Sequence, residues 1–439
     1  MKSFAVTTLG CKVNSYESEH YIAELKKLGY QQVFDKDIAD IYIINTCAVT
    51  NMAAAKSRQK ISSALKLNPE ALICVVGCYV QIAAESLAEK YQIDILVGSD
   101  QKQQLPHLID TATKNRPQKI VNNVRNNVEF EDLFVRHFQH QTRAFLKIQD
   151  GCNQFCSFCI IPFTRGKERS LELSKVVDNL RALFLSHQEV VLAGIHTGRY
   201  LTDENDFTKL LMTIAKEFSF PKRIRISSIE INEITPEIIK LFKNNEIFAK
   251  HLHIPLQSGN DKILKAMERH YSTSEFMTML NQIRKELPDY SISTDVIVGF
   301  PGESEADFLI TKDFIKRAEF SFLHVFPYSL RANTVAAKLD NHVDGVRKQL
   351  RVKELIDLSQ ELLENFQQKF YNKEVVVLFE RKNKNNNYIG HSSEYLQVEV
   401  TSSNDLIGTY QKVKITEFKN QICYGEILGE VNGETIKLN

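Results

Sequence analysis

The hydrophobic pattern in the first third of the chain alternates between short apolar runs and longer amphipathic segments. Runs of β-branched and other apolar residues predict strands at 4–9, 41–44, 72–76 and 93–97. The segments between them carry apolar residues at helical spacing and predict helices. Near-continuous apolar strands that alternate with helices are typical of a parallel sheet covered on both faces. We therefore expect an N-terminal doubly wound parallel α/β domain over residues 1–112.

The alternation weakens and then returns. Residues 113–141 are rich in Asn, Gln, Lys and Arg and predict a connector or a strand pair between domains. Further strands are then predicted, with helical segments between them, at 144–148, 189–192, 224–228, 251–255, 291–298 and 323–327. This pattern predicts a central partial (β/α) barrel over residues 142–371, with its chemistry at the carboxyl ends of the strands. A long helix at 346–371 closes that domain.

The last part of the chain changes to short alternating strands. Examples lie at 374–380, 396–400 and 411–415, separated by turns rich in Asn, Gly and Ser. About five such strands predict a small all-β barrel over residues 372–439. The basic loop at 381–388 ends in an aromatic residue, and small barrels often bind RNA through such loops. A solvated hairpin is the alternative.

Composition narrows the possible classes of protein. The chain has 439 residues, of which 43% are hydrophobic and 25% charged, as is ordinary for a globular protein. It has neither an apolar run of about 18 residues nor a signal-peptide pattern, so we expect a cytoplasmic protein without a membrane partner. A net charge of +1 neither requires nor excludes nucleic acid. Eight cysteines in such a chain indicate metal or redox chemistry more than disulfides.

A compact CxxxCxxC motif follows the first predicted barrel strand. Its three thiols, here called the barrel triplet, are Cys152, Cys156 and Cys159. Thiolates are the preferred ligands of iron–sulfur clusters, and three of them leave one iron of a [4Fe–4S] cluster without a side chain. Such an open position suggests that a small molecule binds the metal. The alternatives are a disulfide loop or a zinc site, although zinc usually takes four ligands in paired CxxC motifs.

Three other cysteines, here called the N-terminal triplet, each follow a predicted strand of the first domain: Cys11, Cys47 and Cys78. Ligands collect beyond the carboxyl ends of strands in open α/β sheets, so these thiols can meet although they are about 30 residues apart. Gly10 and Gly77 permit the tight backbone that such a site needs. Buried core thiols are the alternative. We interpret the remaining two cysteines in that way: Cys74 and Cys423.

Polar segments lie just after the predicted barrel strands, where a cofactor would bind. They occupy 191–198, 227–230, 253–259 and 294–303, and each is a weak signal alone. The basic segment 162–170 follows the barrel triplet directly. We expect its arginines to meet a nucleic-acid phosphate or a cofactor carboxylate, with a solvated turn as the alternative.

Taken together, these motifs resemble the radical S-adenosylmethionine methylthiotransferase family. The segments 8–17, 45–50 and 77–81 resemble its N-terminal domain. Their sequences are most similar to those of the subgroup that acts on threonylcarbamoyladenosine. The resemblance implies a radical S-adenosylmethionine core, a C-terminal TRAM-like domain and a second [4Fe–4S] cluster on the N-terminal triplet. It also implies S-adenosylmethionine contacts near Gly194, Ser228, Glu230, Gln257 and Asp295.

The implied reaction is methylthiolation of C2 of N6-threonylcarbamoyladenosine at position 37 of transfer RNA, with both triplets catalytic. The barrel triplet would generate the radical and the N-terminal triplet would supply the sulfur, with two S-adenosylmethionine molecules used per turnover. The implied partners are the anticodon loop of transfer RNAs reading ANN codons, a reductant such as flavodoxin or ferredoxin, and a sulfur donor. The alternatives are a methylthiotransferase for isopentenyladenosine-37 or a ribosomal protein, or a non-catalytic RNA-binding iron–sulfur sensor.

Overall fold

The computed structural model describes residues 2–138 and 141–431. Outside this part of the chain lie Met1, two residues of the expected connector (139–140) and the end of the expected C-terminal domain (432–439). Within the described ranges, no helix combines the length and apolar character needed to cross a bilayer.

The N-terminal domain is a parallel sheet with helices on both faces, as predicted. Its strands are β1 (Ser3–Thr8), β2 (Gln31–Val33), β3 (Ile41–Thr46), β4 (Leu72–Gly77), β5 (Ile95–Val97) and β6 (Gln118–Ile120), and its helices are α1 (Lys12–Lys27), α2 (Asn51–Leu67), α3 (Cys78–Lys90) and α4 (Leu105–Thr111). The strand order is β2-β1-β3-β4-β5-β6, and every pairing is parallel. The central strands β3 and β4 are buried along their whole length, which explains their mainly apolar sequence.

The two edge strands, β2 and β6, were not predicted. Each has only three residues, and each contains polar residues that stay partly exposed. A strand so short and so polar has no periodic pattern to read. Strand β6 carries the sheet to residue 120, into the segment expected to be a connector.

The central domain is a partial barrel of parallel strands. Its elements are β7 (Arg143–Lys147), β8 (Gln149–Asp150), α5 (Ile161–Thr164), β9 (Arg169–Ser170), α6 (Leu173–Phe184), β10 (Glu189–Ala193), α7 (Phe207–Glu217), β11 (Arg223–Ile226), α8 (Pro236–Asn244), β12 (His251–His253), α9 (Asp261–Ala266), α10 (Thr273–Glu286), β13 (Ser291–Val298), α11 (Glu305–Ala318), β14 (Phe322–Pro327) and α12 (Gly345–Gln368). The strands form two parallel sheets, β11-β10-β7 and β12-β13-β14. Backbone hydrogen bonds join β11 to β12 and to the segment before it: Ile229 N–H donates to His253 O (3.0 Å), Ile224 N–H donates to Ile247 O (2.7 Å), and Ala249 N–H donates to Ile224 O (2.8 Å). All six predicted barrel strands are present.

The C-terminal domain is a closed five-stranded barrel, as predicted. Its strands are β15 (Glu374–Lys382), β16 (Tyr388–Ser392), β17 (Gln397–Val400), β18 (Tyr410–Lys419) and β19 (Ile422–Glu430), in the order β15-β16-β17-β19-β18. Tyr388, which ends the basic loop, is 1% exposed and packs in the core of this barrel. The loop therefore offers exposed basic side chains but no aromatic ring at that position on which a base could stack.

The C-terminal barrel packs on the end of the central domain where strands β7, β10 and β11 begin. Arg223 donates to Val376 O (3.1 Å), and Arg225 donates to Ser393 O (3.2 Å). Tyr395 stacks on His251, with ring centroids 4.8 Å apart. The C-terminal barrel thus closes one end of the partial barrel and leaves the opposite end to the N-terminal domain.

Candidate active site

The barrel triplet lies in one short loop whose backbone is held by local contacts. Gly151 has φ +75°, and a Cβ there would lie 1.9 Å from Lys167 O, so only glycine fits. Within the loop, Gln154 N–H points at Cys152 Sγ (3.4 Å), and Cys159 N–H donates to Cys156 O (2.9 Å). The sequence of the loop itself therefore brings the three thiols to one place.

An arginine and a histidine outside that loop approach its thiols. Arg269 Nη1 donates to Cys156 Sγ (3.3 Å) and also pairs with Glu230. His196 Nδ1 lies 3.6 Å from Cys152 Sγ. Burial raises the pKa of Cys152 and Cys159 to about 12, so these thiols stay neutral unless a cation binds them. A positively charged metal centre meets that requirement, because metal ligation deprotonates a coordinating thiol.

A mixed ligand set also exists beside this loop. One ligand atom each from Cys152, Glu168 and His196 lies within 4.8 Å of the others. Such nitrogen, oxygen and sulfur donors are compatible with zinc, which was the alternative interpretation from the sequence. This set uses only one member of the barrel triplet, so it does not explain why three thiols converge.

The N-terminal triplet is assembled from the ends of three neighbouring strands. Cys11 precedes α1, Cys47 follows β3, and Cys78 begins α3 directly after β4. A Cβ on Gly10, which has φ +101°, would lie 2.9 Å from Cys47 Sγ, so the loops after β1 and β3 touch. Burial raises the pKa of Cys47 to about 11, and the thiols of Cys78 and Cys11 add to the rise. The expected convergence of these strand ends is present.

A buried arginine from the central domain reaches this triplet. Arg165 is fully buried, and its Nε donates to Cys78 Sγ (3.1 Å). Its other nitrogens donate to Glu17 Oε1 (2.7 Å) and to Asn14 Oδ1 (2.6 Å). The expectation that the arginines after the barrel triplet meet phosphate or cofactor is therefore wrong for Arg165. Its side chain instead joins the central domain to the N-terminal triplet.

Arg165 belongs to a buried charge network. Four cations surround two carboxylates there: Arg165, Lys102, Lys147 and Arg169 around Glu17 and Asp150. Burial raises the pKa of Glu17, but Arg165 and Lys102 outweigh it, and the pKa falls to about 2. Glu131 adds a third carboxylate near Lys102 and Lys147, so four cations face three carboxylates and leave an excess of one positive charge near Cys78. Positive surroundings favour thiolates, so this site fits an anionic thiolate–metal cluster.

A cavity of about 720 Å³, here called the central chamber, is lined by residues of the N-terminal and central domains and by Tyr395 of the C-terminal barrel. Four of the predicted catalytic and cofactor-binding residues line it: Cys11, Gly194, Ser228 and Asp295. The other two predicted cofactor contacts, Glu230 and Gln257, are not among the described residues that line the chamber. Glu230 instead pairs with Arg269 beside Cys156. Gln257 adopts φ +64° and bonds through its backbone to Asp295 O (2.9 Å) and Ile297 N.

Sequence reasoning missed much of the chamber lining. The overlooked residues are Lys12, Arg143, Arg225, His251, His253, His324 and Tyr395. His253 and Lys12 lie in segments already noted for other residues, but Tyr395 comes from the C-terminal barrel, and no local pattern links it to this cavity. His253 Nε2 lies 3.2 Å from Asp295 Oδ2. The chamber is therefore polar and lined by histidines from several strands.

Comparison with known proteins decides the family. Residues 3–98 match the model of the uncharacterized protein family UPF0004, and residues 146–315 match that of the radical SAM superfamily. The threonylcarbamoyladenosine tRNA methylthiotransferase MtaB of Bacillus subtilis is 41% identical, over 99% of this chain and 98% of its own. This chain belongs to the radical S-adenosylmethionine methylthiotransferase family. It is therefore a transferase.

Other relatives of this methylthiotransferase differ in their substrate. The threonylcarbamoyladenosine tRNA methylthiotransferase MtaB of Aquifex aeolicus is 38% identical, over 88% of this chain and 95% of its own. The tRNA-2-methylthio-N(6)-dimethylallyladenosine synthase of Thermoanaerobacter pseudethanolicus is 33% identical, over 97% of this chain and 92% of its own. Among solved structures, the radical S-adenosylmethionine methyltransferase TsrM of Kitasatospora setae has a TM-score of 0.55 at 12% identity and covers 76% of each chain, a likeness of fold alone. Membership of the radical SAM superfamily implies one [4Fe–4S] cluster and S-adenosylmethionine as cofactors.

Proposed function

We propose that this enzyme converts N6-threonylcarbamoyladenosine at position 37 of transfer RNA to its 2-methylthio form. The observation that carries the proposal is the central chamber. Cys11 of the N-terminal triplet lines this chamber together with Gly194, Ser228 and Asp295 from the barrel strands. A sulfur carried on one domain and a cofactor bound in the other can therefore reach the same substrate atom.

Two [4Fe–4S] clusters are proposed, one on each triplet. The barrel triplet would hold the first cluster, and the N-terminal triplet the second, each with one iron free of protein ligands. When bound, the first cluster supplies the electron that cleaves S-adenosylmethionine to a radical, and the second offers an iron for sulfur. Two S-adenosylmethionine molecules per turnover, a reductant such as flavodoxin or ferredoxin, and a sulfur donor complete the scheme.

The chain's own residues orient these sites. Arg269 donates to Cys156 and is itself held by Glu230, so Glu230 acts on the barrel triplet through that arginine. Arg165 donates to Cys78 and is held by Glu17 and Asp150. An N–H donor directed at a thiolate sulfur stabilises its negative charge. We propose that Gly194, Ser228 and Asp295 contact S-adenosylmethionine directly, and that Gln257 shapes the backbone beside Asp295.

The proposed domain roles follow the same division. Residues 1–112 would carry the second cluster, 113–141 would connect, 142–371 would bind S-adenosylmethionine, and 372–439 would bind RNA. The exposed cations of the β15–β16 hairpin, Arg381, Lys382 and Lys384, support RNA binding because phosphate contacts need such groups. The proposed partner is the anticodon loop of transfer RNAs that read ANN codons.

The test is anaerobic reconstitution followed by analysis of cofactors and product. Two clusters require about eight irons per chain, and reductant must then release 5′-deoxyadenosine from S-adenosylmethionine. Nucleoside mass spectrometry of RNA treated with the enzyme should show the 2-methylthio form of threonylcarbamoyladenosine. About four irons would overturn the two-cluster scheme.

A second substrate is supported by the dimethylallyladenosine synthase relative at 33% identity. Dimethylallyladenosine is the isopentenyladenosine of the alternative interpretation. Supplying both modified RNAs to one preparation separates the candidates. Product on the isopentenyl RNA alone would overturn the threonylcarbamoyl assignment and leave the methylthiotransferase assignment intact.

A further inference from the structure

The central chamber contains three cations, and two of them already have partners. Arg225 Nε donates to Glu189 Oε1 (2.7 Å), and Arg143 Nε lies 3.2 Å from Glu380 Oε1. Asp295, the only carboxylate among the described residues of the lining, lies 3.2 Å from His253 Nε2. The charges of these groups are therefore largely satisfied by one another and by the chamber walls.

Lys12 is the third cation, and unlike Arg225 and Arg143 it pairs with no described carboxylate. It is exposed, it lines the chamber beside Cys11, and it makes no ion pair or hydrogen bond within residues 2–138 and 141–431. Burial lowers the pKa of His251 and His324, and the positive charge of Lys12 adds to both effects. The ammonium group thus acts on the same chamber as these two rings, and it is available to an anionic ligand because no described carboxylate pairs with it.

A second polar group in the chamber also has no partner. His251 is 6% exposed and lines the chamber, and its Nδ1 makes no hydrogen bond to any described residue. A buried polar atom without a partner is costly, so such atoms often mark the place of a polar ligand. The pair of features indicates a ligand that is both anionic and able to form hydrogen bonds.

We propose that Lys12 binds the carboxylate of the threonylcarbamoyl group and so selects this substrate. The inference rests on the proposed function, because only a substrate placed in the central chamber would meet Lys12. Threonylcarbamoyladenosine carries a carboxylate, a hydroxyl and a urea, whereas an isopentenyl group is neutral and apolar. An ammonium pairs with the first substrate and would be left without a counter-charge by the second.

The test compares binding of three anticodon stem-loop RNAs to the reconstituted enzyme. They carry threonylcarbamoyladenosine, its carboxyl methyl ester, or unmodified adenosine at position 37. We expect the wild type to bind the acid about tenfold more tightly than the ester, because the ester cannot form the charge-assisted contact. Lys12→Met should remove that difference, and Lys12→Arg should keep most of it.

The control is Lys66→Met, which removes an exposed lysine at the far end of α2. It should leave the preference for the acid unchanged. Iron content and the visible spectrum of each variant show whether a change beside Cys11 has disturbed the second cluster. If Lys12→Met loses iron, Lys12→Gln takes its place in the same comparison, because glutamine removes the charge and keeps a polar side chain.

The outcomes separate this inference from the function on which it rests. Equal affinity of the wild type for acid and ester would overturn the role of Lys12, even if the enzyme forms the expected product. A Lys12→Met variant that retains iron and still prefers the acid would overturn it as well. A wild type that forms no product on threonylcarbamoyl RNA, but does so on isopentenyl RNA, would overturn the proposed function itself.

Discussion

Each cysteine triplet brings three thiols together, but different parts of the chain position them. The barrel triplet occupies one loop, where glycine and backbone contacts between near neighbours bring the thiols together. The N-terminal triplet comes from three strand-end loops and takes a donor, Arg165, from another domain. The first arrangement depends on local chain geometry. The second depends on correct packing of a sheet and of a domain interface.

This difference indicates which structural changes would disturb each triplet. Arg165 and its buried partners form part of the contact between two domains, and the same arginine faces Cys78. A change in the domain interface therefore alters the N-terminal triplet directly. The barrel triplet has its own arginine, Arg269, which comes from the same domain and is held by Glu230.

The largest expected effect comes from removing one thiol of each triplet. Cys156→Ala should abolish release of 5′-deoxyadenosine, because the first cluster then lacks a ligand. Cys78→Ala should keep that release and lose the methylthio product. Each variant should retain about four irons per chain, the number in one [4Fe–4S] cluster. Loss of cofactor cleavage in both variants would show that the triplets do not have separate roles.

The next effect tests the domain interface. Arg165→Met leaves Glu17 and Asp150 buried without their main partner, and breaking a buried ion pair in this way costs about 3–5 kcal/mol. Chemical denaturation should show this loss together with a weaker second cluster in absorbance spectra.

The matched control for that change is Arg181→Met. Arg181 is half exposed and pairs with Asp178 at 3.1 Å, so its removal should cost about 1 kcal/mol or less. Equal losses for the two variants would contradict the importance given to the buried network.

The smallest effect is a pH dependence. The pKa of Glu17 is about 2 in the folded protein, well below its ordinary value, so its ionised form stabilises the fold. That contribution is complete above about pH 5 and is lost as the pH falls towards 2, with a size on the order of 3 kcal/mol. Thermal unfolding of the wild type should therefore lose more stability between pH 6 and 3 than that of Glu17→Gln.

The exposed Glu70 provides the control for this comparison. Glu70→Gln should follow the wild-type pH profile. A Glu17→Gln variant that also follows that profile would show that Glu17 contributes no pH-dependent stability.

The sequence alone determined the order of the domains, the parallel sheets and both triplets. Strands of the central domain can be recognised in the sequence because β10 is a buried, mainly apolar segment and β13 is rich in β-branched residues, with helical segments between them. The barrel triplet can be recognised in the sequence because its three cysteines lie close together in the CxxxCxxC motif. The N-terminal triplet is readable because carboxyl ends of parallel strands always meet at one edge of a sheet.

Only the tertiary structure decided which side chains face one another across domains. Arg165 looks in sequence like an exposed basic residue, yet it is buried against Cys78, because packing between two domains fixes its surroundings. Tyr395 closes the chamber from a domain far along the chain, and Lys12 becomes significant only when its position in the chamber lining is known. Periodicity records which face of an element is apolar. It does not record which distant element covers that face, and contacts of that kind define the central chamber.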